Sequence, residues 1–500
     1  MLTATANEIR RLESAVFASG TAPFALMRRA GEAAARFIAR HASGASRIVI
    51  LAGSGNNAGD ALTAAKELSR TFPVAIFAVK PPQELSGAAA AAFRALPPEL
   101  PVEVRETLGG DDLRAGDFIV DGLLGIGFRG VLRPQYAQFI RSVNASGLPV
   151  AALDLPSGLD ADTGVAAGEV IRATLTVTFG FPKPGLFLAD GPRCRGMLRV
   201  VPIGLPLPCR DDASSLSVYT AHDAAADLPA PEYDVHKFRR GSLLIAAGSR
   251  RYPGAAVLTS RAALRSGAGI VRLLVPEGSR LPETPAALIR AEIPATESGS
   301  FSAGAAAVLK EEYRRCDALA AGPGWDDAAP EMLEAVLEFP APLLLDADAL
   351  NLAARHPELW RKRETSTVIT PHPGEALRLA EAFGVAAESD RAAFAVSLAR
   401  RLDAVTVLKG AQSVVASPDG SSWLNTSGVP DLATAGSGDV LTGVIGALLA
   451  AGCGAERAAL LGVWIHGAAG EIGGAGLIAD DLPLLVGRVR QFLRRRGELY

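Results

Sequence analysis

The stretch RIVILAGSGNNAGDA (Arg47–Ala61) reads as a strand, a glycine turn and the start of a helix. Its apolar run has no polar alternation, which marks a strand covered on both faces, as in a parallel sheet. Strand-like runs recur downstream at Val74–Val79, Phe118–Asp121, Val150–Asp154 and Thr174–Phe179, with helical or glycine-rich stretches between them. Upstream, Thr5-Ala-Asn-Glu8 fits a helix capping box followed by Ile9, Leu12 and Val16 at helical spacing, and a second helix is predicted over Phe24–His41. The alternation predicts a mostly parallel sheet between two helical layers. Regular pattern fades between Val201 and Pro231, where prolines cluster around Asp211–Ser215, so a domain boundary is expected near residues 210–230. It resumes with strand candidates at Leu243–Ala247, Ile270–Val275, Ala318–Ala321, Leu343–Asp346, Val368–Thr370 and Val405–Leu408. Two α/β domains are therefore expected, over residues 1–213 and 228–500.

Composition limits what such a chain can do. With 50 Lys+Arg against 53 Asp+Glu there is no basic surplus for nucleic acid or an anionic membrane. The uncharged run Val440–Ala455 contains glycines and falls short of the roughly 18–20 residues of a membrane span. Cys194, Cys209, Cys316 and Cys453 show no CxxC spacing, so reduced thiols and a cytoplasmic location are expected.

The loops after the strands carry the chemistry. Glycines let a backbone approach a ligand, and a helix N-terminus favours anions. The first loop is not the GxGxxG of dinucleotide-binding dehydrogenases, because Gly53, Gly55 and Gly59 are spaced GxGxxxG, and the next strand ends at Lys80 with no acid to read a ribose. FIVDGLLGIGFRG (Phe118–Gly130) and AALDLPSGLD (Ala151–Asp160) place Asp121, Asp154 and Ser157 at strand ends that share one rim of a parallel sheet. Asn57, Asp121 and Ser157 could give oxygen ligands to a hard cation, or serve as turn residues and caps. In TFGFPKPG (Thr178–Gly185), Lys183 is either a proton donor or a solvated charge.

LMRRAG (Leu26–Gly31), GSGNNAGD, VDGLLGIGFRG, LDLPSGLD and TFGFPKPG occur in the order of the YjeF N-terminal family, the NAD(P)H-hydrate epimerases, and residues 1–210 resemble it. The resemblance implies a Rossmann-like fold, a potassium ion held by Asn57, Asp121 and Ser157, and a hydrated nicotinamide nucleotide as substrate. Nucleotide contacts would be Asn56, Asn57, Ala58, Gly59 and Asp60, the loop Gly125, Ile126, Gly127, Phe128, Arg129, Gly130 and Val131, and Asp154. This chain departs from the family's NNGGDG in having Ala58 and Ala61. Epimerising a carbinolamine carbon needs an acid–base group beside it. Asp154 is the first candidate and Lys183 the second.

In the second half, NTSGVPDLATAGSGDVLTG (Asn425–Gly443) sets a Gly-x-Gly-Asp turn before an apolar helix starting near Asp439. Backbone N–H groups there can stabilise a transferring phosphoryl group, and Asp439 can take a hydroxyl proton or else cap the helix. TPHPGE fixes His372 between prolines, VLKGAQS joins two strand-like runs, and LDADALN presents Asp346 and Asp348 as a candidate Mg²⁺ pair. Trp464 and His466 read as core. These motifs, with HKFRRGSLLIAAGS (His236–Ser249), YPGAAVL, AALRSGAG and AGPG, are similar to the YjeF C-terminal family of ADP-dependent NAD(P)H-hydrate dehydratases. That family implies a ribokinase-like fold, hydrate contacts at Ala255, Gly324, His372 and Asp439, and ADP contacts at Lys409, Gly410, Ala411, Gln412, Ser413 and Gly438.

Together the halves resemble the family of bifunctional NAD(P)H-hydrate repair enzymes. The resemblance implies lyase and isomerase activities, with K⁺ in the first domain, Mg²⁺ in the second and ADP as co-substrate. Expected partners are NADHX, NADPHX and ADP, with no nucleic acid, no membrane and a homo-oligomeric assembly. The alternative is a ribokinase-like kinase of a vitamin or sugar alcohol carrying a nucleotide-binding regulatory domain.

Overall fold

The computed structural model describes residues 1–208, 216–230, 239–388 and 390–497. The chain divides into two compact units, Leu2–Ser215 and Leu216–Tyr500.

The first unit holds strands β1 (Arg47–Ala52), β2 (Val74–Ala78), β3 (Val102–Val104), β4 (Asp117–Gly122), β5 (Val150–Leu153), β6 (Leu175–Phe179) and β7 (Met197–Val201). They form a parallel sheet of order β3-β2-β1-β4-β5-β6-β7. Side chains alternate across it. Ile48 and Ile50 pack with the helices Pro23–His41 and Asn56–Leu68, while Val49 and Leu51 pack with Pro134–Ser146 on the opposite face. This αβα layering is the one expected. The strand order reverses between β1 and β4, so their following loops splay apart, the usual place for a ligand crevice. The Thr5 capping box is present: the Thr5 side chain accepts from Glu8 N–H, and Glu8 accepts from Thr5 N–H.

The second unit holds β8 (Leu216–Tyr219), β9 (Ser242–Ala246), β10 (Ile270–Pro276), β11 (Ile289–Ile293), β12 (Ala318–Ala321), β13 (Leu343–Leu345), β14 (Thr367–Ile369), β15 (Val405–Leu408), β16 (Val414–Ala416) and β17 (Ser422–Asn425). Their order is β11-β10-β9-β12-β13-β14-β15-β16-β17-β8, with only the β15–β16 and β16–β17 pairs antiparallel. The apolar helices Ser437–Ala450 and Ala455–Gly473 are buried almost throughout their length.

The expected start of the second domain at 228 is corrected. Leu216–Tyr219 pairs in parallel with β17, and the helix Ala221–Asp227 follows it, so both belong to the second unit. The surrounding prolines obscured one short strand. Cys209, Asp211–Ser215 and His236–Phe238 lie outside the described residues. Cys194, Cys316 and Cys453 are free thiols. Among the described residues no helix is long and apolar enough to cross a membrane.

Candidate active sites

In the first unit a cleft of about 620 Å³ opens where β1 and β4 diverge. Ser54–Asn57, Leu123–Arg129, Val131, Asp154 and Lys183 line it, as do Glu13 and Asp60. Most nucleotide contacts expected from the motifs thus meet in one place. Three do not face it. Ala58 is fully buried in the core, Gly59 packs where a Cβ would meet Met27 Sδ at 2.4 Å, and Gly130 is absent from the lining. Residue 58 is helical and lacks a positive φ, so alanine there carries no strain.

Asp121, Ser157 and Asn57 converge on the backbone of Leu123–Leu124. Ser157 Oγ donates to Asp121 Oδ1 (2.6 Å), and Ser157 N and Leu123 N donate to its two oxygens (2.8 and 3.2 Å). Asn57 Nδ2 donates to Leu124 O at 2.7 Å, which leaves Asn57 Oδ1 buried with no hydrogen-bond partner. A buried acceptor without a donor is costly, and a cation would satisfy it. Among the described residues no three His, Cys, Asp or Glu side chains gather as a metal site. The donors here are instead one carboxylate, an amide, a hydroxyl and carbonyls, a set suited to a hard cation. Burial pushes the Asp121 carboxyl up to about 6.

Asp154 follows β5 with φ +64°, a left-handed conformation that Asp tolerates better than most residues. Its Oδ1 accepts from Thr178 Oγ1 (3.1 Å), Phe179 N (3.1 Å) and Lys183 Nζ. Lys183 Nζ also donates to Thr178 Oγ1 and Phe179 O. The Lys183 side chain is 0% exposed and that of Asp154 12%, so Lys183 is no solvated charge. Both line the cleft, and of the two only Asp154 keeps any exposure. Sequence reasoning missed Glu13. The signal was there: it lies four residues after Ile9 and three before Val16, on the buried face of the helix Ala6–Ala18.

In the second unit the motif loops again leave the C-terminal ends of strands. Gly436, with φ +88°, is the N-cap of Ser437–Ala450 and offers no side-chain bond. Asp439 sits in the first helical turn, two residues past Ser437, and is not the cap. It carries no hydrogen bond or ion pair among the described residues. Burial, with the negative charge of Asp346 added, pushes its carboxyl up to about 7. A Cβ at Gly438 would lie 3.4 Å from Lys409 Nζ and 3.8 Å from Asp346 Oδ2, so the glycine turn rests against that ion pair. Lys409 Nζ donates to Asp346 Oδ1 at 2.7 Å and lies 4.0 Å from Glu375 Oε2. Burial opposes the Lys409 charge, but the two carboxylates outweigh it and raise its pKa.

The two carboxylates of the expected Mg²⁺ pair both lie near Asp439 and both hold protein partners. Asp346 Oδ2 accepts from Thr442 Oγ1 (2.7 Å) while Oδ1 takes Lys409. Asp348 accepts from Asp326 N and Asn351 Nδ2. Each of these carboxylate oxygens thus has one protein donor.

His372 is the N-cap of Pro373–Phe383, its Nδ1 accepting from Gly374 N (3.0 Å) and Glu375 N (3.3 Å). Burial and the Lys409 charge lower its pKa, which keeps Nδ1 an acceptor. Lys409 N donates to Pro371 O at 2.9 Å, holding the two loops side by side. Gly324, with φ +66°, abuts Ala255: a Cβ there would come within 2.9 Å of Ala255 Cβ. Gly410, Ala411, Gln412 and Ser413 form the turn between β15 and β16, with Arg391 holding Leu408 O and Lys409 O. His466 is buried as expected, but its Nε2 also bonds Ser437 O (3.0 Å) and lies 3.1 Å from Ser437 Oγ, which fixes the start of the glycine turn.

The sequence signature described as NAD(P)H-hydrate dehydratase matches residues 243–476, and that of the YjeF-related protein N-terminus matches residues 23–185. A bifunctional NAD(P)H-hydrate repair enzyme of Moorella thermoacetica is 36% identical, over 94% of this chain and 92% of its own. Namesakes from Gloeobacter violaceus (40% identical; 93% of this chain, 92% of theirs) and Escherichia coli K12 (35%; 95% and 92%) are similar over the same extent. An ADP/ATP-dependent NAD(P)H-hydrate dehydratase from Bacillus subtilis, crystallised with ATP/Mg²⁺, is 32% identical over 56% of this chain and 99% of its own, with a TM-score of 0.46. Likeness along nearly the whole length of both proteins means that this chain belongs to the family of bifunctional NAD(P)H-hydrate repair enzymes.

Proposed function

We propose that the second unit dehydrates (S)-NAD(P)HX at the expense of ADP, and that the first unit interconverts the R and S hydrates to supply it. The carrying observation is Asp439: an uncommitted carboxylate, poised near neutrality, at a glycine turn backed by Lys409. Asp439 takes the proton of the C6 hydroxyl, whose oxygen attacks the β-phosphorus of ADP, and the bond to AMP breaks. N–H groups of the Gly436–Asp439 turn and the Lys409 charge are suited to the phosphoryl oxygens. The N1 lone pair then expels phosphate, and loss of a C5 proton restores the dihydronicotinamide. Gly324 and Ala255 would admit the hydrate closely, and the Lys409–Ser413 turn the nucleotide. Mg²⁺ would accompany the nucleotide phosphates, with Asp346 and Asp348 near Asp439 as its candidate carboxylates.

Full-length protein incubated with mixed NADH hydrates and ADP should yield NADH, AMP and phosphate in equal amounts, followed by absorbance and chromatography. A stable phosphorylated product would instead favour the small-molecule kinase reading.

In the first unit, Asp154 would handle a proton at the C6 carbinolamine, held in place by Lys183. Asn57 Oδ1, Asp121 and Ser157 fit K⁺, which would order the Leu123–Leu124 segment from which the Gly125–Val131 loop springs. Epimerisation should therefore rise when KCl replaces choline chloride at equal ionic strength. Asn57→Ala should remove that response while ADP-dependent NADH formation from pure S hydrate is unchanged. A potassium response of ordinary size in the variant would sink the assignment.

A further inference from the structure

Inversion at C6 makes a demand that Asp154 alone does not meet. The oxygen must leave one face of the ring and return to the other. A carboxylate pinned by Thr178, Phe179 N and Lys183 serves one side. A second proton carrier is needed on a different element.

Glu13 meets that description. It projects from the inward face of the helix Ala6–Ala18, between buried Ile9 and Val16, into the cleft that Asp154 enters from the end of β5. It is half-buried and makes no hydrogen bond or ion pair among the described residues. Its helical neighbour Arg10 is spent on Asn7 Oδ1 (2.9 Å) and Ile126 O (3.3 Å). Leaving a carboxyl unpaired in a half-buried place costs stability and contributes nothing to the packing. Unpaired titratable groups in clefts are where acid–base work concentrates. Asp154, Asp60, Lys183 and Arg10 are the charged groups around it. Burial and the Asp154 charge raise its pKa, while Lys183 and Arg10 oppose them, so it holds a proton more readily than an exposed glutamate.

Resting on the epimerase reading above, we propose that Glu13 is the second acid–base residue of this cleft. Its carboxyl proton goes to the C6 hydroxyl, the C6–O bond breaks, and the N1 lone pair forms the N1=C6 double bond as water leaves. Water then adds to the opposite face, its proton passing to Asp154 and the π electrons returning to N1. The opposite epimer runs the same steps backwards, with Asp154 as acid and Glu13 as base, so each direction resets the other.

The test uses full-length protein and pure R hydrate without ADP, with S hydrate measured by chromatography. Glu13→Gln should lower kcat for interconversion by roughly 10²–10⁴-fold with KM nearly unchanged. ADP-dependent NADH formation from pure S hydrate should keep its normal rate, which shows that the second unit is intact, and an unchanged denaturant midpoint of the first unit shows that it is folded as well. Glu13→Ala should be equally slow and regain activity on addition of acetate, a rescue that a merely structural glutamate would not show. A Glu13→Gln rate within threefold of the parent, or a loss confined to KM, overturns the proposal. If the parent protein itself fails to interconvert the hydrates, the epimerase reading fails instead.

Discussion

Asp439→Asn is expected to abolish ADP-dependent NADH formation, with kcat down by roughly 10²–10⁴-fold, while R and S hydrates still interconvert. The substitution keeps shape and volume and removes only the ability to take a proton. It spares the helix, because Gly436 is the cap and Asp439 bonds nothing among the described residues. Its carboxyl is held at about 7 by burial and by Asp346 and Asp348, with Lys409 opposing them. A general base must be unprotonated, so dehydration by the parent protein should climb with pH and level off above about 7. The stability effect has the opposite sign. A carboxyl raised from its usual 3.8 to about 7 on folding favours the native state most when protonated, and the ionised form weakens the fold as pH rises through that interval. Asn carries no such charge. The second unit of the variant should therefore melt no lower than the parent at pH 8, with the difference shrinking towards pH 4. NADH absorbance with AMP quantitation reads the activity, and thermal scans read the stability. Persistent ADP-dependent turnover in the variant would remove Asp439 from the chemistry.

Which parts of this protein were legible depended on burial. β1, β4, β5 and β6 are covered on both faces, and their apolar runs stood out to within a residue or so. β3 (Val-Glu-Val), β7 and β11 (Ile-Arg-Ala-Glu-Ile) lie at sheet edges with mostly exposed or half-buried residues, where charges protect the edge and erase the pattern. The site loops were legible because glycines and strand-end polar residues mark a rim, and most of them do meet there. Long-range pairings were not. Nothing local couples Asp154 to Lys183, or Asp346 to both Lys409 and Thr442, which lie 63 and 96 residues away. For the same reason the sequence did not show that Asp346 holds Lys409 and Thr442 as well as standing beside Asp348 in the chain. His372 drew attention as a rigid histidine, and its Nδ1 proved to be a helix cap.

Asp154→Asn should stall a racemic hydrate with its R half unused: S hydrate is consumed with ADP at the normal rate, and R persists. Asn is the informative substitution because residue 154 has φ +64°, a conformation Asn accepts and Ala resists. The charge change has a second consequence. Lys183 is 0% exposed and its ammonium bonds Asp154, Thr178 and Phe179 O, so the variant leaves a buried cation without its counter-charge. Breaking one side of a buried ion pair costs about 3–5 kcal/mol, and the first unit should unfold at correspondingly lower denaturant. Pairing it with Lys183→Met removes both charges and should recover much of that loss. Interconversion should not recover, because the proton acceptor is still missing. Stability regained without activity separates the chemical role of Asp154 from its architectural one. A double variant that regains both would mean that Asp154 merely holds Lys183, and that the proton moves elsewhere in the cleft.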